Sequence, residues 1–82
     1  MGTVLRIGSW RVMIYTLDHA PAHVRLVGPV GRAKVALNCP TGPVVPISIR
    51  GMDVVTIKGA LDVIERELTE LCRIWRLMHG DY

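Results

Sequence analysis

Alternation with a period of two runs through the first fifty residues of the chain. Val4 to Ile7 and Arg11 to Leu17 are rich in β-branched and aromatic residues, and the Gly8-Ser9 pair between them has turn composition, so together they predict a hairpin. His23 to Val27 places Val24 and Leu26 on one side, and Arg32 to Leu37 places Ala33, Val35 and Leu37 on one side. The Gly28-Pro29-Val30-Gly31 segment between them has the length of a hairpin connection, which predicts a second hairpin. Asn38 to Pro46 holds three prolines and a glycine and reads as a loop, followed by a short edge strand at Ile47 to Ile49.

Beyond Gly51 the period changes. Val54, Ile57, Leu61, Ile64, Leu68, Leu71, Trp75 and Met78 follow the alternating three-and-four spacing of one helix face. Asp53 is suited to the N-cap and Gly80 stands where such a helix would stop. Lys58, Asp62, Arg66 and Glu70 alternate in sign at steps of four, as on a solvated helix surface. Unbroken, the segment from Asp53 to Met78 would be about 39 Å long at ~1.5 Å per residue. That exceeds what so small a sheet can cover, so a break or bend near Gly59 is expected, with a homodimer as the other way to cover the helix end. The fold class expected is α+β: a small antiparallel sheet of four to five strands, in two hairpins, packed against a long or broken C-terminal helix.

Length and composition bound this picture. Eighty-two residues, half of them hydrophobic and none of them Phe, make one domain, residues 1–82, with one aliphatic core. Residues 1–50 form its strand half and 53–79 its helical half. No run approaches the roughly 18 apolar residues of a membrane span, and the start lacks the pattern of a secretory signal. A cytoplasmic protein without membrane contact is therefore expected. Cys39 and Cys72 lie far apart, too few for a secreted disulfide framework, and reduced thiols are expected.

Charge is more informative by halves than in total. The formal net charge is +3. Residues 1–52 hold Arg6, Arg11, Arg25, Arg32, Lys34 and Arg50 against Asp18, six bases less one acid or +5; residues 53–82 hold four bases and six acids, or −2. A regular second hairpin would set Val27 opposite Arg32, Arg25 opposite Lys34 and His23 opposite Ala36, all on one face. Val24, Leu26, Ala33 and Val35 would then be buried, and His23, Arg25, Arg32 and Lys34 would project outward, with Arg11, Met13 and Tyr15 as neighbours on an adjacent strand. Like charges opposite one another are unfavourable unless an anion relieves them, and a nucleic-acid backbone is the natural candidate. The plainer reading is a sheet face solvated by Lys and Arg that guards against edge pairing.

Asp18-His19-Ala20-Pro21-Ala22-His23 is the one local cluster with chemical potential. Its imidazoles suit a general acid and base, or two ligands of a metal site completed by Asp18 or Cys39. Pro21 argues for a turn into a strand, where this spacing does not put both rings on one face. The alternative is that His19 bonds within the turn and His23 sits on the sheet. Trp75 falls on the apolar stripe and is expected as a core anchor, whereas Trp10 suits either packing on the sheet or stacking on a base. No phosphate-binding loop, dinucleotide fingerprint or Ser-His-acid arrangement is present in the sequence, and no cofactor or metal is expected.

The ordered series Thr3-Val4-Leu5-Arg6-Ile7, Arg11 to Tyr15, Asp18 to Val24, Arg32-Ala33-Lys34, Trp75 and His79-Gly80 resembles the small bacterial domain-of-unknown-function family four-one-six-zero. The most specific part is His19-Ala20-Pro21-Ala22-His23-Val24-Arg25-Leu26, where Ala22 replaces a usual second proline and Arg25 a usual third histidine. Relatives in that family are often encoded beside a second small protein, in pairs like toxin-antitoxin modules. The resemblance implies a toxin-like member with a cognate partner protein. The expectation drawn from resemblance and charge together is a protein that engages RNA or another phosphate-bearing partner. Arg11, Arg25, Arg32 and Lys34 would hold phosphate, and His19 and His23 would be catalytic in a metal-independent ribonuclease-like activity. A reading from another class is a non-enzymatic interaction module acting through its amphipathic helix.

Overall fold

The computed structural model describes residues 2–82. Five strands, β1 (Gly2–Ile7), β2 (Trp10–Ile14), β3 (His23–Val27), β4 (Arg32–Ala36) and β5 (Val45–Arg50), precede two helices, α1 (Val54–Arg66) and α2 (Leu68–His79). The strands form one antiparallel sheet in sequence order, β1-β2-β3-β4-β5, so the architecture is α+β. The β3–β4 register follows the expected one: His23 faces Ala36, Arg25 faces Lys34 and Val27 faces Arg32.

The helices cover one face of this sheet because only one face is apolar. Val12, Ile14, Val24, Leu26, Ala33 and Val35 are buried from the sheet side, and Ile57, Ala60, Ile64, Leu68, Leu71 and Trp75 from the helix side. Five of the eight stripe positions are thus core. Leu61 and Met78 are half-buried, while Val54 is exposed.

The helix is interrupted at Glu67 and not near Gly59, which corrects the expected break. Gly59 sits inside α1, exposed, with open space where a side chain would be, so its cost is one of propensity alone. At Glu67 the backbone flattens (φ −98°, ψ 13°), and its N–H is shared between the Val63 and Ile64 carbonyls. The bend keeps Leu68, Leu71 and Trp75 over the sheet. Asp53 caps α1, its Oδ1 accepting the Thr56 N–H at 2.7 Å, and that bond holds its carboxyl below the ordinary carboxylate value. Gly80 ends α2 in the left-handed region at φ 81°.

Cys39 and Cys72 form a disulfide, which corrects the expectation of reduced thiols. The Cys39-Pro40 loop folds down onto α2 and brings the two Cα atoms to 5.8 Å, within bonding range. Separation in sequence carried no information about that approach. The same loop is tied to α1 by the Val44 N–H, which donates to Glu65 Oε1 at 2.8 Å.

Trp10 packs, as one of its two expected roles required. A Cβ on Gly28 would collide with the indole ring, so glycine is needed there for the ring to lie against the second hairpin. No helix among the described residues is long and apolar enough to cross a membrane.

A basic sheet face as candidate anion-binding site

Since Val12, Val24, Leu26, Ala33 and Val35 point into the core, their neighbours along each strand point the other way. The cross-strand pairs Arg6–Arg11, Arg11–Val27, Val27–Arg32 and Arg32–Arg50 then form one row across all five strands. Directly beside it runs a second row, Met13–Arg25–Lys34–Ser48. Every basic residue of the strand half therefore lies on the open face. Arg11, Arg25, Arg32 and Lys34 are brought together there as expected, and Arg6 and Arg50 join them. The sequence pattern placed neither, because their inclusion depends on the pairing of the two edge strands.

A concavity of about 190 Å³ lies within this face, lined by Tyr15, Arg25, Val27, Arg32, Lys34, Ser48 and Arg50 among others. Its floor holds two rows of three: Arg25, Lys34 and Ser48 beside Val27, Arg32 and Arg50. Gly51 fixes the far edge. Its φ is 69°, and a side chain there would collide with the Val30 carbonyl, so the close approach of the β3–β4 turn to the end of β5 requires glycine.

Only one of the six cations has an acidic partner among the described residues. Arg25 donates through Nη2 to Asp18 Oδ1 at 2.7 Å and through Nε to Oδ2 at 3.4 Å. Its guanidinium also lies 5.1 Å from the Tyr15 ring centroid. Burial of Asp18 raises its carboxyl, but the hydrogen bond and charge of Arg25 outweigh this, helped by the Tyr15 N–H and by His23. The net result is a carboxyl below its ordinary value. The hydrogen bond to Asp18 in turn raises the Arg25 guanidinium. Arg6, Arg11, Arg32, Lys34 and Arg50 make no ion pair within 4.0 Å among the described residues.

Of His19 and His23, the second is placed differently from expectation. His23 keeps its register opposite Ala36, yet its side chain is only 10% exposed and does not project from the open face. Its ring is 5.2 Å from that of Trp75, Nδ1 is 2.9 Å from the Pro21 carbonyl, and Nε2 is buried without a hydrogen-bond partner, 3.5 Å from Asp18 Oδ2. The reason lies in the C-terminal segment. The Ala22 N–H donates to the Tyr82 carbonyl, His79 stacks on Trp75 at 3.9 Å, and the Trp75 indole donates to the Asp81 carbonyl at 2.8 Å. Residues 79–82 thereby close this end of the sheet. His19 is exposed in the loop before β3. Cys39, named as a third metal ligand, is bound in the disulfide, and no three His, Cys, Asp or Glu side chains among the described residues converge in a metal-binding group.

What the arrangement can do chemically is hold an extended anion. Positive side chains start from directly opposed positions on strands about 4.8 Å apart, on a face with the apolar Val27 in its long row. Comparison with protein-family models, with curated proteins and with solved structures found no match to this chain.

Proposed function

We propose that this protein binds a phosphate-bearing polyanion, RNA in the first instance, on the open basic face of its sheet, as the toxin-like member of a two-protein module. The observation that carries the reading is the gathering of Arg6, Arg11, Arg25, Arg32, Lys34 and Arg50 on one face, with only Arg25 in an ion pair among the described residues. Opposed like charges destabilise a sheet, a bound polyanion relieves that repulsion, and release of the polyanion's counterions adds affinity. Binding is better supported than cleavage, since the His23 ring is enclosed by Pro21, Asp18 and Trp75.

Salt titration of RNA binding tests the proposal. Affinity should fall steeply as salt rises, and the triple variant Arg25→Ala/Arg32→Ala/Lys34→Ala should lower the slope of log K against log salt by about 3. Absence of RNA binding even at low salt would overturn it. A cytoplasmic location is part of the proposal. The Cys39–Cys72 bond itself weighs against that location, because disulfides are rare in that compartment, and finding the bond intact in thiol-trapped cells would overturn it.

A second reading has its own observation. The apolar helix stripe is largely spent in the core, but Ile47, Ile49, Val54 and Val55 are exposed at the β5 edge and the start of α1. A protein-interaction module would use that surface, and it would bind its cognate partner with little salt dependence.

A further inference from the structure

Resting on the phosphate-binding reading, the row geometry points to duplex nucleic acid, and we propose that the face spans the two backbones of a double helix. The long row is not uniformly charged. Arg6 and Arg11 form one pair, Arg32 and Arg50 another, and Val27 stands between them. At about 4.8 Å per strand, Arg11 and Arg32 start about 10 Å apart and the whole row spans about 19 Å. Grooves of B-form DNA are about 6 and 12 Å wide, and A-form RNA has one narrow and one wide groove, so flexible arginine stems on either side of Val27 reach the phosphates that border a groove of either duplex. A lone strand offers one phosphate row where a duplex offers two.

The aromatic residues agree. Single-strand binders stack bases on exposed rings. Here Trp75 is buried, Trp10 packs against Gly28, and the Tyr15 ring lies beneath the Arg25 guanidinium. The neighbouring row is Met13, Arg25, Lys34 and Ser48, which offers charge and a hydroxyl and no stacking platform. A duplex also presents twice the charge per length, one per about 1.7 Å against one per about 3.4 Å for each strand. An unstacked, cation-paired face therefore gains most from a double helix.

The test is fluorescence anisotropy with a 20-base-pair RNA duplex, the DNA duplex of the same sequence, and each separate strand, across a salt series. At least one duplex should bind about tenfold more tightly than its strands at low salt. The variants Arg6→Gln/Arg11→Gln and Arg32→Gln/Arg50→Gln should each lower the duplex salt slope by about 2. The charge-keeping pairs Arg6→Lys/Arg11→Lys and Arg32→Lys/Arg50→Lys should retain it, and Lys58→Gln on α1 should change nothing. Unaltered thermal midpoints show that each variant is folded. Single strands binding as tightly as duplexes, or a duplex slope untouched by loss of Arg6 and Arg11, would overturn the duplex inference while leaving phosphate binding intact. Failure of every probe at about 50 mM salt would remove the phosphate-binding reading as well.

Discussion

The two faces of the sheet are made from alternate residues of the same strands, and they solve opposite problems. On the helix side, Val12, Val24, Leu26 and Val35 are fully enclosed and gain by leaving water. On the open side, the same strands hold Arg11, Arg25, Arg32 and Lys34, which oppose or adjoin one another. The enclosed face is explained by its own stability. The open face is not, because opposed cations lower stability by up to about 1 kcal/mol per pair. Asp18 offsets this at one position only, where it holds Arg25. A surface that costs stability and, among the described residues, is left without an ion pair at five of six cations is where a ligand is to be sought.

Three changes would break or sharpen this contrast. The largest acts on the enclosed side. Reducing the Cys39–Cys72 bond, whose residues are 33 apart in sequence, should cost about 3–4 kcal/mol by removal of a constraint on the unfolded chain. Thermal melts with and without reductant measure it, and an unchanged midpoint would mean that the loop is held by packing and the Glu65 contact alone.

Next is the junction of the two faces. Asp18→Asn should cost about 1–2 kcal/mol near neutral pH, toward the lower part of the range for charged hydrogen bonds because Arg25 is 38% exposed and partly screened. The pH dependence has a definite sign. The folded-state carboxyl lies below its ordinary value of 3.8, so its contribution is present above that value. It is lost as pH falls through the lower, folded-state value. Wild type should therefore lose part of its advantage over Asp18→Asn below about pH 4, which urea unfolding at a series of pH values reads directly. An advantage that persisted at pH 2 would assign the effect to shape and not to charge.

The smallest effect belongs to the open face. Arg32→Gln/Arg50→Gln should leave stability unchanged or raise it by less than about 1 kcal/mol, since directly opposed charges are removed. A clear loss of stability would show that these side chains serve the fold, and the functional reading of the face would lose its premise.

Much of the fold was legible because period and burial are coupled. Strict alternation at His23 to Val27 and Arg32 to Leu37 allowed only one face of the hairpin to be buried, which set the register and placed Arg25 beside Lys34. The helix stripe marked Ile57, Ile64, Leu68, Leu71 and Trp75 as core for the same reason. Within the site, the sequence reached as far as the central strands. His23 was misplaced because alternation describes a side chain's starting direction, whereas its final position at a strand end depends on what closes that end. Here Trp75, His79 and Tyr82 do so.

By itself, then, the order of residues determined the elements, the enclosed face, the register of the second hairpin and the concentration of positive charge in the strand half. These follow from local periodicity and from the separation of apolar and charged side chains along a single element. The bend at Glu67, the bond between Cys39 and Cys72, the enclosure of His23, and the entry of Arg6 and Arg50 into a five-strand row were decided by the tertiary structure. The disulfide and the enclosure of His23 each depend on segments distant in sequence meeting in space, and the bend and the edge-strand pairing depend on backbone geometry that the period of apolar positions does not record.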